Sequence, residues 1–375
     1  MDLNEIRQEI DEIDRKIVEL YEKRMDASKR VAEFKIETGK KVFDKQREDE
    51  KIRKVKALTS NDFNSHGVEE LFEQIMSMSR KLQYQLLAKN GSLGKLAFIG
   101  VDELQIQNAR VVFQGAEGSY SQAAMERFFG NEINCFHVET FRDAMSAIDE
   151  GSADFAVLPI ENSTAGIVSE IYDLLVEYEN YIVGEQIIQI EHCLLGLPGT
   201  TMDDIKTVYS HPQSLMQSAR FLQEYGSWKQ VSMQNNAFAA QKVKEDKDQS
   251  QAAIASEYAA KVYDLDILKK GVNQSSTNST RFIVVTNQKI FLKDAKKISI
   301  CFEVSHESGS LYHMLSHFIY NNLNLSKIES RPIEDRNWEY RFFVDFEGNL
   351  ADSAVKNALR GLRDEARNMK ILGNY

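Results

Sequence analysis

Up to Gly39 the chain contains neither glycine nor proline, and all four prolines (Pro159, Pro198, Pro212, Pro332) come later still. A breaker-free opening rich in Glu, Lys, Arg, Ile and Leu reads as one long helix. Leu3, Ile10, Ile17 and Val31 mark one heptad row, and Ile6, Ile13, Leu20, Ala27 and Phe34 mark a second. Such a seam runs through about nine turns and cannot bury its stripe against itself. It predicts pairing with other helices, including those of a second subunit. Gly39 ends the helix, and Asp44 is placed to cap a second one running through Ile52, Val55 and Leu58. Residues 61–67 (NDFNSHG) read as a turn. A third helix follows, with Leu71, Phe72, Ile75, Met76, Leu82 and Leu86 on one face. Residues 89–94 (KNGSLG) read as a linker, and the apolar LAFIG after them fits either neighbour.

With 375 residues the chain exceeds one ordinary core and predicts two or three domains. A net charge of −11 argues against nucleic acid or an anionic membrane as partner, so any anion site must be a local cluster of Arg and Lys. The charged N-terminus lacks the apolar run of a signal peptide, and no stretch reaches the ~18 apolar residues of a membrane span. A cytoplasmic location is expected. Cys135, Cys193 and Cys301 are far apart in sequence, which predicts reduced thiols and no clustered metal site.

The seam has one conspicuous violation. Arg24 occupies the row of Leu3, Ile10, Ile17 and Val31, where a charge needs either a facing carboxylate or a ligand. Lys35 lies eleven residues on, rotated by about 20° and so on the same face. Ser79 and Gln83 interrupt the apolar face of the third helix in the same way. Polar groups entering a seam from several helices imply a buried polar pocket. The set Arg7, Arg24, Lys35, Asp44, Arg47, Glu48, Ser79 and Gln83 resembles the all-helical chorismate mutases, over residues 1–89. The resemblance implies a pericyclic rearrangement of chorismate to prephenate, needing geometry and charge stabilisation but no nucleophile. Arg7, Arg24 and Arg47 would hold carboxylates, Lys35 and Gln83 would donate to the ether oxygen, and Glu48 would hold the substrate hydroxyl, supported by Asp44 and Ser79. Arg7 and Lys35 are 28 residues apart, about 42 Å along a helix, so Arg7 is expected to come from a second protomer of a homodimer or higher oligomer.

From Arg110 onward, RVVFQG, FAVLPI, YIVGEQIIQI, HCLLGL and TRFIVVT read as strands alternating with helices, an α/β domain over residues 110–286 beyond a linker at 90–109. GAEGSYS (residues 115–121) offers glycines, the hydroxyls of Ser119, Tyr120 and Ser121, and a helix N-terminus. PIENSTAG brings Glu161, Asn162 and Ser163; YSHPQSLMQ brings Ser210, His211 and Gln217; STRF brings Thr280 and Arg281. Together, in this order, these segments resemble the prephenate dehydratase family, whose fold is two α/β lobes around a cleft, similar to periplasmic binding proteins. The chain would cross between lobes near residue 188 and return near 275. The implied reaction removes water and carbon dioxide from prephenate to give phenylpyruvate, with Thr280 as principal catalytic residue. Glu161, Asn162, Ser210 and Gln217 would assist, with Arg281 near a carboxylate. Whether Thr280 or Glu161 handles the proton stays open. His211, beside Pro212, reads as structural.

The remaining residues, 297–375, alternate as βαββα with their own core. Gly309, Ser310 and Leu311 at a strand–helix turn, and Glu329, Ser330, Arg331 and Pro332 within KIESRP, resemble the ACT family of α+β domains. The resemblance implies L-phenylalanine as an inhibitory effector bound at a dimer interface. Ser310 and the preceding HES depart from that family's usual pattern. No cofactor is implied. Two other functions fit the α/β domain: a dehydratase preferring arogenate, and a non-catalytic binder of aromatic acids.

Overall fold

The computed structural model describes residues 2–90, 97–334 and 336–375; residues 91–94 of the expected linker lie outside them. The chain divides into two compact units, Met1–Ala97 with Lys296–Ile371, and Phe98–Ala295 with Leu372–Tyr375.

In the first unit, helix α1 (Leu3–Thr38) is unbroken, capped by Asp2 and closed by Gly39 at φ 68°. Helix α2 (Lys45–Lys56) starts where Asp44 accepts a hydrogen bond from the Arg47 amide at 3.1 Å. Helix α3 (Asp62–Lys89) begins earlier than the sequence predicts, because residues 62–67 are helical rather than a turn. Asn61 caps it, accepting from the Asn64 amide at 2.8 Å. Short polar residues suit turns and caps alike, so composition alone favours neither. Ala32 and Val42 pack with Tyr84 and Leu87 in a small core. Leu3, Ile10, Ile17 and Leu20, by contrast, remain 59%, 49%, 52% and 64% exposed. Val31 and Phe34, further along the same rows, are 44% and 53% exposed too, and the face of α1 that is covered within one chain runs through Ser28 and Ala32 instead.

The same unit also holds Lys296–Ile371, met after the second unit in chain order. The second unit begins with β1 (Ile99–Val101), β2 (Arg110–Gln114), α4 (Tyr120–Phe129), β3 (Asn134–Val138), α5 (Phe141–Asp149), β4 (Phe155–Asn162), β5 (Gly166–Ile167), α6 (Ser169–Glu177) and β6 (Tyr181–Gln189). A second lobe follows: β7 (Cys193–Gly196), β8 (Thr207–Ser210), α7 (Pro212–Gln217), α8 (Ala219–Glu224), β9 (Lys229–Ser232), α9 (Asn236–Asp246), β10 (Gln251–Ala255), α10 (Glu257–Tyr263) and β11 (Asp266–Lys269). The chain then returns through β12 (Ser279–Thr286) and β13 (Ile290–Leu292). The first lobe's sheet runs β6-β12-β4-β2-β3 and the second lobe's runs β11-β7-β10-β8-β9. Val111, Phe113, Val157 and Val284 are almost wholly buried, as strands covered by helices on both faces require. Of the ambiguous LAFIG, Phe98, Ile99 and Gly100 fall in this unit: β1 pairs in parallel with β13, and Phe98 meets Tyr181 edge-on at 5.2 Å.

The C-terminal segment consists of β14 (Lys297–Glu303), α11 (Ser310–Tyr320), β15 (Leu325–Pro332), β16 (Tyr340–Glu347), α12 (Ser353–Glu365) and β17 (Asn368–Asn374). This is βαββαβ, one strand more than the predicted βαββα, because NMKILGN, with only three apolar residues, forms the strand β17. No described helix is long and apolar enough to cross a membrane.

Candidate active sites

Three helices contribute to a polar cluster in the first unit. Arg24 on α1 donates to Ser79 Oγ on α3 at 2.5 Å and to the Ile75 carbonyl at 3.4 Å. Lys35, further along α1, donates to the Val42 carbonyl at 2.7 Å. Both cations are half-buried, and burial pushes both below their ordinary pKa values, opposed by Glu48 near Arg24 and by Asp44 and Glu48 near Lys35. Among the described residues neither makes an ion pair with a carboxylate. Arg47 adds a further positive charge in the field of Lys35. Gln83 is 7% exposed, and its Oε1 has no hydrogen-bond partner among the described residues. A polar atom so placed calls for a ligand or an ordered water. Glu48 is raised by burial, against the pull of Arg80 and Lys35.

Seven of the eight helical positions thus belong to the C-terminal half of α1 and the parts of α2 and α3 beside it. Arg7 does not: it is exposed near the other end of the unbroken α1, about 42 Å from Lys35 at 1.5 Å per residue. Sequence reasoning missed Arg80, which bonds to Glu48 and lies under 9% exposed. It occupies the stripe of Met76 and Tyr84, one turn from each, and a charge on that stripe was the available signal.

In the second unit a continuous hydrogen-bond network joins the two lobes. Asn162 at the end of β4 faces Thr280 on β12, and its Nδ2 donates to Thr280 Oγ1 at 2.9 Å and to Asn278 Oδ1 at 2.8 Å. Asn162 Oδ1 accepts from the Thr164 hydroxyl at 2.8 Å and from two backbone amides. Gln217 on α7 donates to Thr164 Oγ1 at 2.9 Å, and its Oε1 lies 2.9 Å from His192 Nε2. Tyr120 lies 3.1 Å from His192 Nδ1, with its hydroxyl also 2.9 Å from the Glu191 carbonyl. Gln217 Oε1 can only accept, so in a neutral His192 the proton sits on Nε2. Burial lowers the His192 pKa, with the Gln217 contact opposing, and so favours that neutral form. His192 was also missed; a polar residue opening the apolar HCLLGL strand was its signal.

The other candidates are distributed differently. Glu161 and Arg281 pair at 3.5 Å, with Glu185 3.6 Å from the same guanidinium. They sit opposite one another in the strand register, next to the Asn162–Thr280 pair and therefore on the other face of the sheet. Ser210 is fully buried, its hydroxyl 2.6 Å from the Ile254 carbonyl and 3.0 Å from Asn236 Oδ1. Ser163 ties the β4 end to the start of β12, its Oγ accepting from the Ser279 amide at 3.0 Å. His211 caps α7 by accepting from the Gln213 amide. Ser119 caps α4, and Ser121 is buried in its first turn. Gly118 holds φ +80°, and a Cβ there would sit 3.2 Å from the Ala259 backbone, so only glycine fits without strain.

In the C-terminal segment Gly309 takes φ 79° at the start of α11, with Ser310 and Leu311 in the first turn. Glu329, Ser330, Arg331 and Pro332 lie on β15, at the end of the sheet order and paired to β16.

Comparison with known proteins covers both units. Residues 6–84 match the family described as chorismate mutase type II, and residues 111–290 match the prephenate dehydratase family. A bifunctional chorismate mutase/prephenate dehydratase of Enterobacter agglomerans is 32% identical over 377 residues, spanning 99% of this chain and 95% of its own length. The solved prephenate dehydratase of Arthrobacter aurescens, in complex with L-Phe, is 28% identical with a TM-score of 0.66, covering 71% of this chain and 89% of its own. A solved chain described as GqqA, a novel type of quorum quenching acylase, is 31% identical with a TM-score of 0.65, covering 71% and 97%.

Proposed function

Because the chain belongs to the family of bifunctional chorismate mutase/prephenate dehydratases, we propose roles for the residues of both sites. The enzyme rearranges chorismate to prephenate and converts prephenate to phenylpyruvate with loss of water and carbon dioxide. In the mutase site Arg24 and Arg47, with Arg7 from a second protomer, hold the substrate carboxylates. Lys35 and Gln83 donate to the ether oxygen, where charge builds as the bond breaks. Glu48 accepts from the substrate hydroxyl, with Asp44 and Ser79 in support. The observation that carries this reading is the pair of half-buried cations, Arg24 and Lys35, neither of which has an ion-pair partner among the described residues. A dianionic substrate supplies what they lack.

In the dehydratase site the Thr280 hydroxyl is the group presented to the departing ring hydroxyl, held by Asn162. Glu161 and Arg281 form a second polar patch on the opposite sheet face, which supports Thr280 over Glu161 for contact with the leaving group. Gln217, Ser163, Ser119, Tyr120 and Ser121 complete the substrate's polar surroundings, and Ser210 braces the second lobe from inside. The C-terminal βαββαβ segment serves as an ACT domain. L-phenylalanine inhibits through Gly309, Ser310 and Leu311 together with Glu329, Ser330, Arg331 and Pro332 of a neighbouring copy, a reading supported by the L-Phe complex of the Arthrobacter aurescens relative. The protein works as a dimer or larger homo-oligomer in the cytoplasm. One coupled assay tests the whole: chorismate is supplied, and prephenate and phenylpyruvate are followed with and without L-phenylalanine. Absence of either product under conditions where the protein is folded would sink the corresponding site.

A further inference from the structure

Glu48, Arg80, Glu365 and His317 form a line from α2 through α3 to α12 and α11. Arg80 Nη1 bonds to Glu48 Oε2, and Arg80 Nη2 lies 3.0 Å from Glu365 Oε1. His317 Nε2 lies 3.1 Å from that same Glu365 oxygen. The Arg80, Glu365 and His317 side chains are only 9%, 11% and 9% exposed. Neither contact to Glu365 Oε1 is aligned as a hydrogen bond, so charge rather than direction holds that oxygen. The Phe43 ring lies 5.2 Å from the guanidinium and limits where it can move.

A single guanidinium placed between two buried carboxylates serves neither fully. Arg80 engages one oxygen of Glu48, while Glu365 draws the other end of the fork away. Without Glu365 the fork could close on both Glu48 oxygens, the geometry guanidinium and carboxylate prefer. Closing the fork would turn the Glu48 carboxylate and commit one lone pair on each of its oxygens to Arg80, re-aiming the acceptor sites left for a substrate hydroxyl. We propose that Arg80 and Glu365 are positioning residues for the mutase reaction, Glu365 of the C-terminal segment holding Arg80 where it fixes the Glu48 carboxylate without covering it. The proposal rests on the reading of Glu48 as the acceptor of the substrate hydroxyl. Its consequence is that a residue more than three hundred positions from α1 helps to set the mutase site.

The groups acting on Glu48 are Arg80 from α3, Glu365 from α12 and Lys35 and Arg24 from α1, and burial itself raises its pKa. Arg80 opposes that rise and Glu365 adds to it. The two partners therefore have opposite signatures in the pH profile of the mutase, if ionised Glu48 is required. In the full-length protein, Arg80→Met should shift the acid limb of mutase kcat/KM to higher pH and lower kcat/KM about tenfold or more. Glu365→Gln should shift the acid limb to lower pH and raise KM for chorismate several-fold. Arg80→Lys keeps the charge without the fork, so it should keep the limb nearly in place while raising KM. Dehydratase turnover, measured on the same preparations, should stay unchanged in all three. A purely structural role would not move the two limbs in opposite directions. Limbs that move together or not at all would overturn the proposal, as would a parallel fall in dehydratase turnover. Lys35→Ala separates the two levels of the reading. If Lys35→Ala abolishes mutase activity while Arg80→Met and Glu365→Gln leave it unaltered, the positioning idea fails and the site reading stands. If Lys35→Ala retains activity, the site reading fails and the proposal falls with it.

Discussion

Asn162 and Thr280 face one another across β4 and β12, and the Asn162 amide donates to the Thr280 hydroxyl at 2.9 Å while also reaching Asn278 Oδ1. A hydroxyl that accepts from a fixed amide has its own proton free to point at a substrate. Thr280→Ala should therefore lower dehydratase kcat by about a hundredfold or more, while Thr280→Ser keeps most of it. Phenylpyruvate formation from prephenate gives the answer directly. Near-normal turnover of Thr280→Ala would remove Thr280 from the catalytic role.

His192 is buried with both ring nitrogens engaged, and its pKa lies below the ordinary 6.5 because burial disfavours the charged form. The unfolded chain then binds a proton at a higher pH than the folded one does. The native state loses stability as pH falls from the ordinary histidine range toward the lowered value, and regains it as pH rises. His192→Gln removes that titration, so its stability should fall less steeply over this window than that of the unaltered protein. Denaturant unfolding across pH 5 to 8 measures the two slopes; parallel curves would contradict the assignment. At neutral pH the same substitution should cost about 1–3 kcal/mol through the contacts it disturbs.

The exposed position of Arg7 makes a further demand. If each mutase site takes Arg7 from a second protomer, Arg7→Ala chains mixed with Lys35→Ala chains should regain mutase activity, since each mixed dimer would hold one intact site. Statistical mixing sets the ceiling at about a quarter of the unaltered activity, and confirmed mixing with no recovery would refute the sharing of sites.

Gly309 begins α11 at φ 79°, where a Cβ costs about 1–2 kcal/mol. Gly309→Ala should weaken L-phenylalanine binding by about tenfold in calorimetry, with mutase and dehydratase turnover kept in the absence of effector. Undetectable binding to the unaltered protein at millimolar L-phenylalanine would instead mark the C-terminal segment as a dimerisation module.

Much of this organisation is legible in the sequence, because its strongest signals are local. The missing breakers before Gly39, the Asp44 cap and the apolar runs of β2, β4 and β12 each depend on a few neighbouring residues. Where the reading failed, distant contacts decided. Residues 62–67 became helix because Asn61 could cap a longer α3 that packs on α1 and α2. LAFIG gained its meaning only from β13, nearly two hundred residues later. Glu161 and Asn162 stand side by side as candidates, although neighbours on a strand must face opposite ways: Glu161 faces Arg281 and Asn162 faces Thr280. Arg80 and His192 escaped notice because a single sequence does not show what lies across from them.

Along α1 the seam residues Leu3, Ile10, Ile17, Leu20, Val31 and Phe34 stay exposed, while the Asn162–Thr280 and Gln217–Thr164 bonds form within one chain. If each mutase site is shared between protomers, the two catalysts in this polypeptide should respond differently to dilution. As protein concentration falls below that needed for association, chorismate consumption should fade first and prephenate consumption should persist. A cell holding too little of this enzyme would lose its own supply of intermediate before losing the capacity to use one supplied from elsewhere.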